Sequence, residues 1–479
     1  MPCTATNPNL TAREQAHHLY EAIPPGLFRV EDENERIAWR VSPEPFALSG
    51  EQVDAIERLG PQLLRFYRGL NNLYNRSARG TAPAFIAEYL DHGKPEQIVK
   101  LGRQNRFKQE VPGVIRPDLI LTADGFVATE LDSIPGGMGF VGAMTEAYCE
   151  LGIESVGGSD GIPLGFAAML RHATGLDYPT VAIVVSEESA DYRAEMAWLA
   201  SALRRLHAAD AWLRRPQDVT FTEDGLFIRH DDGRETKLDA LYRNFELFDL
   251  FNVPKQELML YAARHNRVKM TPPPKASLEE KSAFALLHHH ALEALWRAEL
   301  GGESFERLLR LFPETWVIDP RSMPPQGVIA GLQAAGAPVS DFRQLGALPK
   351  SERAYVVKPS GFSELAWGSR GVKIGDDMTR EEWQATIDTA LTSYDRTPWI
   401  LQRFHKGKRV RQTYFDREAD EIREYDGRVR LCPYYFVTGE DSVSLGGVLA
   451  TIAPVDKKLI HGMSDAVMTS SIASATSAS

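Results

Sequence analysis

Two stretches of this chain carry residue types whose spacing could do chemistry. The first is YVVKPSGFSELAWGSRGVKIG, residues 355–375. An apolar run delivers Lys358. A loop of small residues follows, with Gly361, Ser363, Gly368, Ser369, Arg370 and Gly371, and a second short apolar run leaves it at 372–374. Glycines let backbone N–H groups approach phosphate oxygens, and a lysine adds a point charge. The segment therefore reads as a strand–loop–strand phosphate clamp. It is not a Walker A loop, because GxxxxGK[ST] is absent and no helix follows directly. A plain hairpin with a surface lysine fits the same letters.

The second stretch is RPDLILTADGFVATELD, residues 116–132. It reads as a hairpin whose three-residue loop, Ala123-Asp124-Gly125, places Gly125 at the left-handed position. That register sets Asp118 opposite Glu130, with Asp132 on the same face. A two-residue turn would put Asp118 and Glu130 on opposite faces. Three carboxylates on one face repel unless a cation joins them, and hard oxygen donors suit Mg²⁺. Arg116 adds a planar cation suited to a phosphate oxygen. A solvated hairpin edge is the alternative. The next residues, SIPGGMGF, place Gly136 and Gly137 where backbone can approach a ligand, so they are candidate substrate contacts.

Weaker signals accompany these. In WILQRFHKG, residues 399–407, a short apolar strand ends in Gln402 with Phe404 beside it. A strand edge there could read an adenine amino group between apolar neighbours. Arg428 and Arg430 alternate onto one strand face and could meet phosphate or an acidic substrate, or simply water; Arg430 is the candidate substrate contact. Arg409 and Arg411 carry the same ambiguity. Consecutive His288, His289 and His290 point in different directions on a helix, which favours a helix surface over a metal site. Gly446 and Gly447 mark a close approach or a bulge. Arg243 and Glu246 sit at helical i,i+3 spacing and read as a structural ion pair.

The elements that must position these residues are distributed over 479 residues, enough for two to four domains at ~100–200 residues each. The first region, 1–165, holds a helix over 50–74 capped by Ser49, the carboxylate hairpin, and a helix near 142–151. The second, 166–275, alternates a buried strand at 180–185, a helix over 187–207, a hairpin around Asp224-Gly225 and a strand at 240–242, which fits a small Rossmann-like layer. Thr271-Pro-Pro-Pro reads as a linker. The third, 276–465, is α+β, with a helix at 379–393. The tail, 466–479, is small and polar and reads as disordered. With 54 Lys and Arg against 65 Asp and Glu, the net charge of −11 argues against a nucleic-acid backbone binder. Cys3, Cys149 and Cys432 lie too far apart for a zinc knuckle and support no disulfide framework. No apolar run approaches the ~18 residues of a membrane span, and the N-terminus has neither a basic nor an apolar signal segment. The expectation is a cytoplasmic protein with no membrane partner.

Taken together, Lys358, the loop Gly368-Ser369-Arg370-Gly371, Gln402 with Phe404, and Asp118, Glu130 and Asp132 resemble the motifs of the ATP-grasp superfamily. A further family lysine, on a helix ahead of the first strand of that subdomain, looks matched by Lys281, which precedes LFPETWVID. The carboxylates precede the lysine and glycine loop instead of following them. That order is similar to the circularly permuted ATP-grasp group, which includes relatives of glutathionylspermidine synthetase. Asp132 stands where Asn is common. The resemblance touches roughly 100–465 and implies a multidomain α+β and α/β chain, a permuted ATP-grasp module and a Rossmann-like domain ahead of it. It also implies ATP and Mg²⁺ as cofactors, and carboxylate and amine substrates joined through an acyl phosphate. Lys281 and Lys358 would neutralise phosphates, and Arg116 would stabilise the transferred phosphoryl group. A non-catalytic ATP-binding scaffold or sensor, or a small-molecule kinase, are the alternatives.

Overall fold

The computed structural model describes residues 3, 9–24, 26–27, 39–324, 326–366, 370–460 and 465–474. The chain is a mixed α/β structure built on several sheets. The largest has seven strands. Its path runs Phe46–Leu48, Val467–Ala473, Val443–Pro454, Glu421–Val437, Val114–Thr122 and Gly125–Asp132. The seventh strand, Arg409–Asp416, pairs with the first half of Glu421–Val437, and Val114–Thr122 pairs with the second half.

RVRLCPYYFV explains why Glu421–Val437 is the spine of this sheet. Its β-branched and aromatic residues alternate between two faces, as a strand buried on both sides requires. Val429, Leu431, Tyr435 and Val437 join one core with the helix Gly50–Ala78. Cys432, Tyr434 and Phe436 join another with helices Met138–Glu150 and Gly161–Thr174. The pairing shifts between Tyr434 and Tyr435, leaving Gly446 outside the ladder. Gly446 is therefore both a bulge and a close approach: a Cβ there would lie 2.4 Å from the Phe436 ring and 2.8 Å from Gly161 O.

A second sheet has four parallel strands in the order Lys269–Thr271, Ala240–Asn244, Thr180–Val185, Asp210–Arg214. From Thr180–Val185 the chain crosses to Asp210–Arg214 through helix Arg193–Arg205, then returns to the other side as Ala240–Asn244. A third sheet has four strands in the order Thr315–Val317, Trp399–Arg403, Tyr355–Pro359, Lys373–Ile374.

Several expectations change at this level. The helix over 50–74 forms with its Ser49 capping box and runs on to Ala78, because Leu70, Leu73, Tyr74 and Ser77 continue the buried face. The helix expected near 142–151 begins earlier, at Met138. The 187–207 helix divides into a 3₁₀ turn, Ala190–Tyr192, and the helix Arg193–Arg205. Thr271-Pro-Pro-Pro is no linker: these residues are buried, and the carbonyls of Pro272 and Pro273 accept from the Arg243 guanidinium. Cys3 and Cys149 form a disulfide between residues far apart in sequence. Among the described residues no helix is long and apolar enough to cross a membrane.

The tail departs most from its polarity. Residues 467–473 form a strand between Phe46–Leu48 and Val443–Pro454. Thr469, Ser470 and Ser471 are 0% exposed. Thr469 Oγ1 hydrogen-bonds Tyr148 Oη at 2.7 Å, and Ser470 Oγ hydrogen-bonds Ser155 Oγ at 2.8 Å. Small hydroxyl side chains fit this crowded strand, and those of Thr469 and Ser470 find partners there, whereas Ser471 Oγ has none among the described residues. A chain ending at residue 465 is therefore expected to lose its cooperative thermal transition, whereas Ser470→Ala should cost only ~1 kcal/mol in a denaturant titration. A truncated chain melting like the parent would show that the strand is dispensable.

Candidate active site

The carboxylate hairpin reaches its expected register by an unexpected route. Its turn is the two-residue Ala123 and Asp124, with Thr122 paired to Gly125, not a three-residue loop. Gly125 does take a positive φ of 119°. A two-residue turn alone would set Asp118 and Glu130 on opposite faces. A bulge next to Asp118 cancels that shift: Leu119 pairs with Ala128, yet Asp118 pairs with Glu130 and Arg116 with Asp132. Thr129 is the extra residue.

The same face receives Arg430, Cys432 and Tyr434 from Glu421–Val437, since Leu431 pairs with Leu119. Arg116 lies between two carboxylates, with Nε 3.2 Å from Asp118 Oδ1 and Nη2 3.1 Å from Asp132 Oδ2. Arg430 Nη1 donates to Asp118 Oδ2 at 2.9 Å, and the Cys432 thiol donates to Asp118 Oδ1 at 3.4 Å. Asp132 Oδ1 accepts from Ile134 N–H at 2.8 Å. Arg430 thus holds Asp118; Arg428, two residues earlier, donates to the carbonyls of Val455 and Lys457. Arg411 pairs with Glu424 and Asp426 at the surface.

Two lysines meet this face from outside the sheet. Lys358, on Tyr355–Pro359, donates to the bulged carbonyl of Thr129 at 2.9 Å. Lys281 lies 2.5 Å from Glu130 Oε1 and donates to Ala366 O at 3.1 Å. It sits in a turn ahead of helix Ala283–His288, not on a helix. Burial disfavours every charge here, and the neighbours decide the sign. Burial pushes the Asp118 and Glu130 carboxyls up, but Arg430 and Arg116 for the first, and Lys281 and Lys358 for the second, hold them below their ordinary values. At Asp132 burial prevails over Arg116, and its affinity for a proton rises. Burial lowers Lys358 to about 8, with Glu130 opposing.

The glycine loop is anchored beneath by residues that sequence reading missed. Lys94 and Glu280, each 1% exposed, form an ion pair, and Ser360 Oγ donates to Glu280. A Cβ on Gly361 would lie 1.7 Å from Glu279 O. Gly371 N–H donates to Leu365 O at 2.9 Å, and a Cβ there would meet the Pro359 ring at 2.6 Å. Arg370 lies 3.6 Å from Glu188. Gly368 and Ser369 lie outside the described residues.

Gln402 is brought to the cleft, though not at a strand edge. Trp399–Arg403 is paired on both sides, and Gln402 Nε2 donates to Thr315 Oγ1 at 3.2 Å. Phe404 follows, half-buried, its N–H bonded to Ala354 O. Glu130, Lys281 and Gln402 line a cavity of about 10 Å³ with Tyr67, Phe284 and Ile400, room for about one water. Gly136 and Gly137 are covered: the Tyr192 ring packs on Gly136, and Gly137 N–H donates to Glu195 at 2.8 Å. Gly136 O accepts from Arg116 and Tyr434.

Asp118, Glu130 and Asp132 share one face, but among the described residues no group of three His, Cys, Asp or Glu side chains is placed to hold a metal ion. Each carboxylate instead faces a protein cation. In the histidine run, His288 bonds Phe312 O at 3.0 Å, and the His289 ring packs against Phe85 at an interplanar angle of 35°.

No family model matches the sequence, and no curated protein sequence matches it. Among solved structures, the chain is similar to a glutathione synthetase-like effector, GSS30, from Globodera pallida in its apo form. The TM-score is 0.57 at 13% identity, over 98% of this chain and 99% of that one. It overlaps more loosely with a candidate gamma-glutamylcysteine synthetase from Methylobacillus flagellatus KT, with a TM-score of 0.41 at 13% identity over 87% of each chain. The second overlap is too loose to carry weight. The first shows a shared fold over nearly the whole length.

The lowered Lys358 makes a testable statement. Its folded value, about 8, lies below its ordinary 10.5, so below pH 8 the folded state carries a charge that burial disfavours. Lys358→Met should raise the melting temperature of the ligand-free protein at pH 7, by the equivalent of ~1–3 kcal/mol. That gain should shrink as pH rises from 8 toward 10.5, where the parent lysine is itself neutral in the folded state. Melting curves of both proteins at pH 7.0 and 9.5 check the sign. A variant less stable than the parent at pH 7 would sink the idea.

Proposed function

We propose that this chain is an ATP-dependent carboxylate–amine ligase. One observation carries the reading. A sheet face bearing Arg116, Asp118, Glu130, Asp132 and Arg430 is opposed by Lys281, Lys358 and the root of a glycine loop, with Lys358 Nζ 2.9 Å from Thr129 O. Alternating charges on two opposed surfaces suit a polyphosphate and the transfer of its terminal phosphoryl group. The fold shared with a glutathione synthetase-like protein supports the same class. On this reading the ATP-grasp module is circularly permuted, with its carboxylates in the first region and its lysine and glycine loop in the third. The four-stranded parallel sheet is then the Rossmann-like domain between them.

The residues would act as follows. Lys358 and Lys281 leave Thr129 O and Glu130 to neutralise nucleotide phosphates, and the glycine loop covers them. The cleft beside Gln402 has room for little more than a water, so nucleotide entry requires the two sheets to part. Arg116 stabilises charge on the transferred phosphoryl group. The substrate carboxylate attacks the γ-phosphorus, ADP leaves, and the acyl phosphate is then open to an amine, whose attack releases phosphate. No side-chain nucleophile is needed. Glu130 and Asp132 supply hard oxygens of the kind Mg²⁺ takes, and the ion would add charge neutralisation at the phosphates. Asp118, whose oxygens accept from Arg430, Arg116 and Cys432, orients the face. Closure over the acyl phosphate keeps water from it.

The test is ADP release from the purified protein with Mg-ATP and pools of small carboxylates, amino acids and polyamines, read with mass spectrometry. ADP formation should need two components together, and a new mass should equal their sum less water. Glu130→Ala should cut that turnover by at least ~10³-fold while the circular-dichroism spectrum stays that of the parent. A stable phosphoester in place of a condensed product would make the protein a kinase. Undiminished turnover by Glu130→Ala would remove the site assignment.

A further inference from the structure

The parallel sheet reverses its strand order between Thr180–Val185 and Ala240–Asn244. In open parallel sheets ligands lie outside the carboxyl ends of the strands at that point. Here Tyr242 on Ala240–Asn244, and Glu246 just beyond it, lie within the field of Asp132. Residues 242 and 244 fall on one side of that strand, and Glu246 follows the bend at Phe245 with extended φ −76° and ψ 148°. Tyr242 packs edge-on against Phe166, on the side of the sheet that faces the helices, while Leu241 and Phe245 enter the opposite core.

These three residues present oxygens that the protein leaves unmatched. Tyr242 and Asn244 are 0% and 1% exposed, yet Tyr242 Oη and Asn244 Oδ1 have no hydrogen-bond partner among the described residues. A buried polar group left so costs ~1–3 kcal/mol. The Tyr242 hydroxyl lies in the field of Asp132 and Glu246. Spacing had paired Glu246 with Arg243, but that guanidinium turns away: Nη2 reaches Glu279 Oε1 at 2.5 Å and Nη1 donates to Phe245 O at 2.6 Å. The Glu246 carboxyl is left without a hydrogen bond or ion pair among the described residues. Burial, with Glu279 and Asp132 nearby, raises its affinity for a proton, against Arg243 and Lys281. A bound cation would relieve the crowding of Glu246 with Glu279 and Asp132 and favour its ionised form, whereas a carboxylate or phosphate ligand would add to that crowding. The complement is a positive group with several N–H donors, and a primary ammonium has three.

We propose that Tyr242, Asn244 and Glu246 hold the protonated amino group of the amine substrate, at the end of the parallel sheet beside the carboxylate face. Its place in the reaction rests on the ligase reading; its binding does not. The ordering of the cleft is then by charge: phosphates against Lys281 and Lys358, the amine against Glu246.

The test is isothermal titration of the full chain, without nucleotide, using 1,4-diaminobutane and glycine ethyl ester, with 1,4-butanediol as the uncharged comparator. At least one amine should bind and the diol should not. Glu246→Gln, nearly isosteric at a half-buried position, should weaken amine binding at least tenfold. Asn244→Leu should weaken it too, with circular dichroism checking the fold. Equal amine affinity in parent and Glu246→Gln would overturn the proposal, as would binding of neither amine. So would a carboxylate probe, glutarate, whose binding depends on Tyr242 and Asn244. Thermal stabilisation by Mg-ATP, measured on the same samples, separates the two readings. Amine binding that depends on Glu246, in a protein indifferent to Mg-ATP, would leave this site standing and remove the ligase.

Discussion

Thr129 is the residue on which the cleft turns. It is the extra residue of a bulge, it restores the register that sets Asp118 beside Glu130, and its carbonyl is the acceptor for Lys358 from another sheet. Without the bulge, the two-residue turn would send Glu130 and Asp132 into the opposite, apolar core among Leu119, Ala128 and Leu431. Burying two carboxylates there without partners would cost far more than the local loss of ladder hydrogen bonds. The bulge is thus selected by the charges it places, and the contact between sheets follows from the same residue.

The face of the large sheet that carries these charges is continuous with an apolar core. Tyr434, Phe436 and Val114 lie under helices Met138–Glu150 and Gly161–Thr174. Arg430, Arg116 and Asp118 lie on the same face beyond them. One strand alternation therefore serves both purposes, and the change of character occurs where the helices end and the lysine strand begins. Glu195 marks that border. Its carboxyl is 1% exposed, accepts from Gly137 N–H at the start of a helix, and is raised to about 7 by burial against those hydrogen bonds.

The ion pairs of this cleft are poor evidence for stability. Pairing Arg116 with Asp118 and Asp132, or Lys94 with Glu280, mainly recovers what desolvation costs, although removing one partner would leave a buried charge exposed to the full penalty. What such pairs supply is orientation. Asp118 is held by three donors and Arg116 by two carboxylates and a carbonyl. A ligand that displaces the lysines meets a surface already fixed in place, which is the condition under which electrostatic stabilisation is effective.

Much of this was legible in local patterns. The alternation in RVRLCPYYFV, the Ser49 cap, the parallel-strand run TVAIVV and the lysine ahead of a glycine loop each follow from forces acting within a few residues, so a linear reading reaches them. Other features were settled across long separations. The hydroxyl-rich tail reads as disordered by composition, but Thr469 and Ser470 find partners on Tyr148 and Ser155, more than 300 residues away. Arg243 sits three residues from Glu246, yet its strand geometry turns it to Glu279. The linker-like prolines are buried because that same arginine needs their carbonyls. Composition and periodicity determined which residues could be charged, buried or bent. Which charge meets which partner was decided only by the tertiary structure, because desolvation penalises an isolated charge until the packing of distant strands supplies its complement.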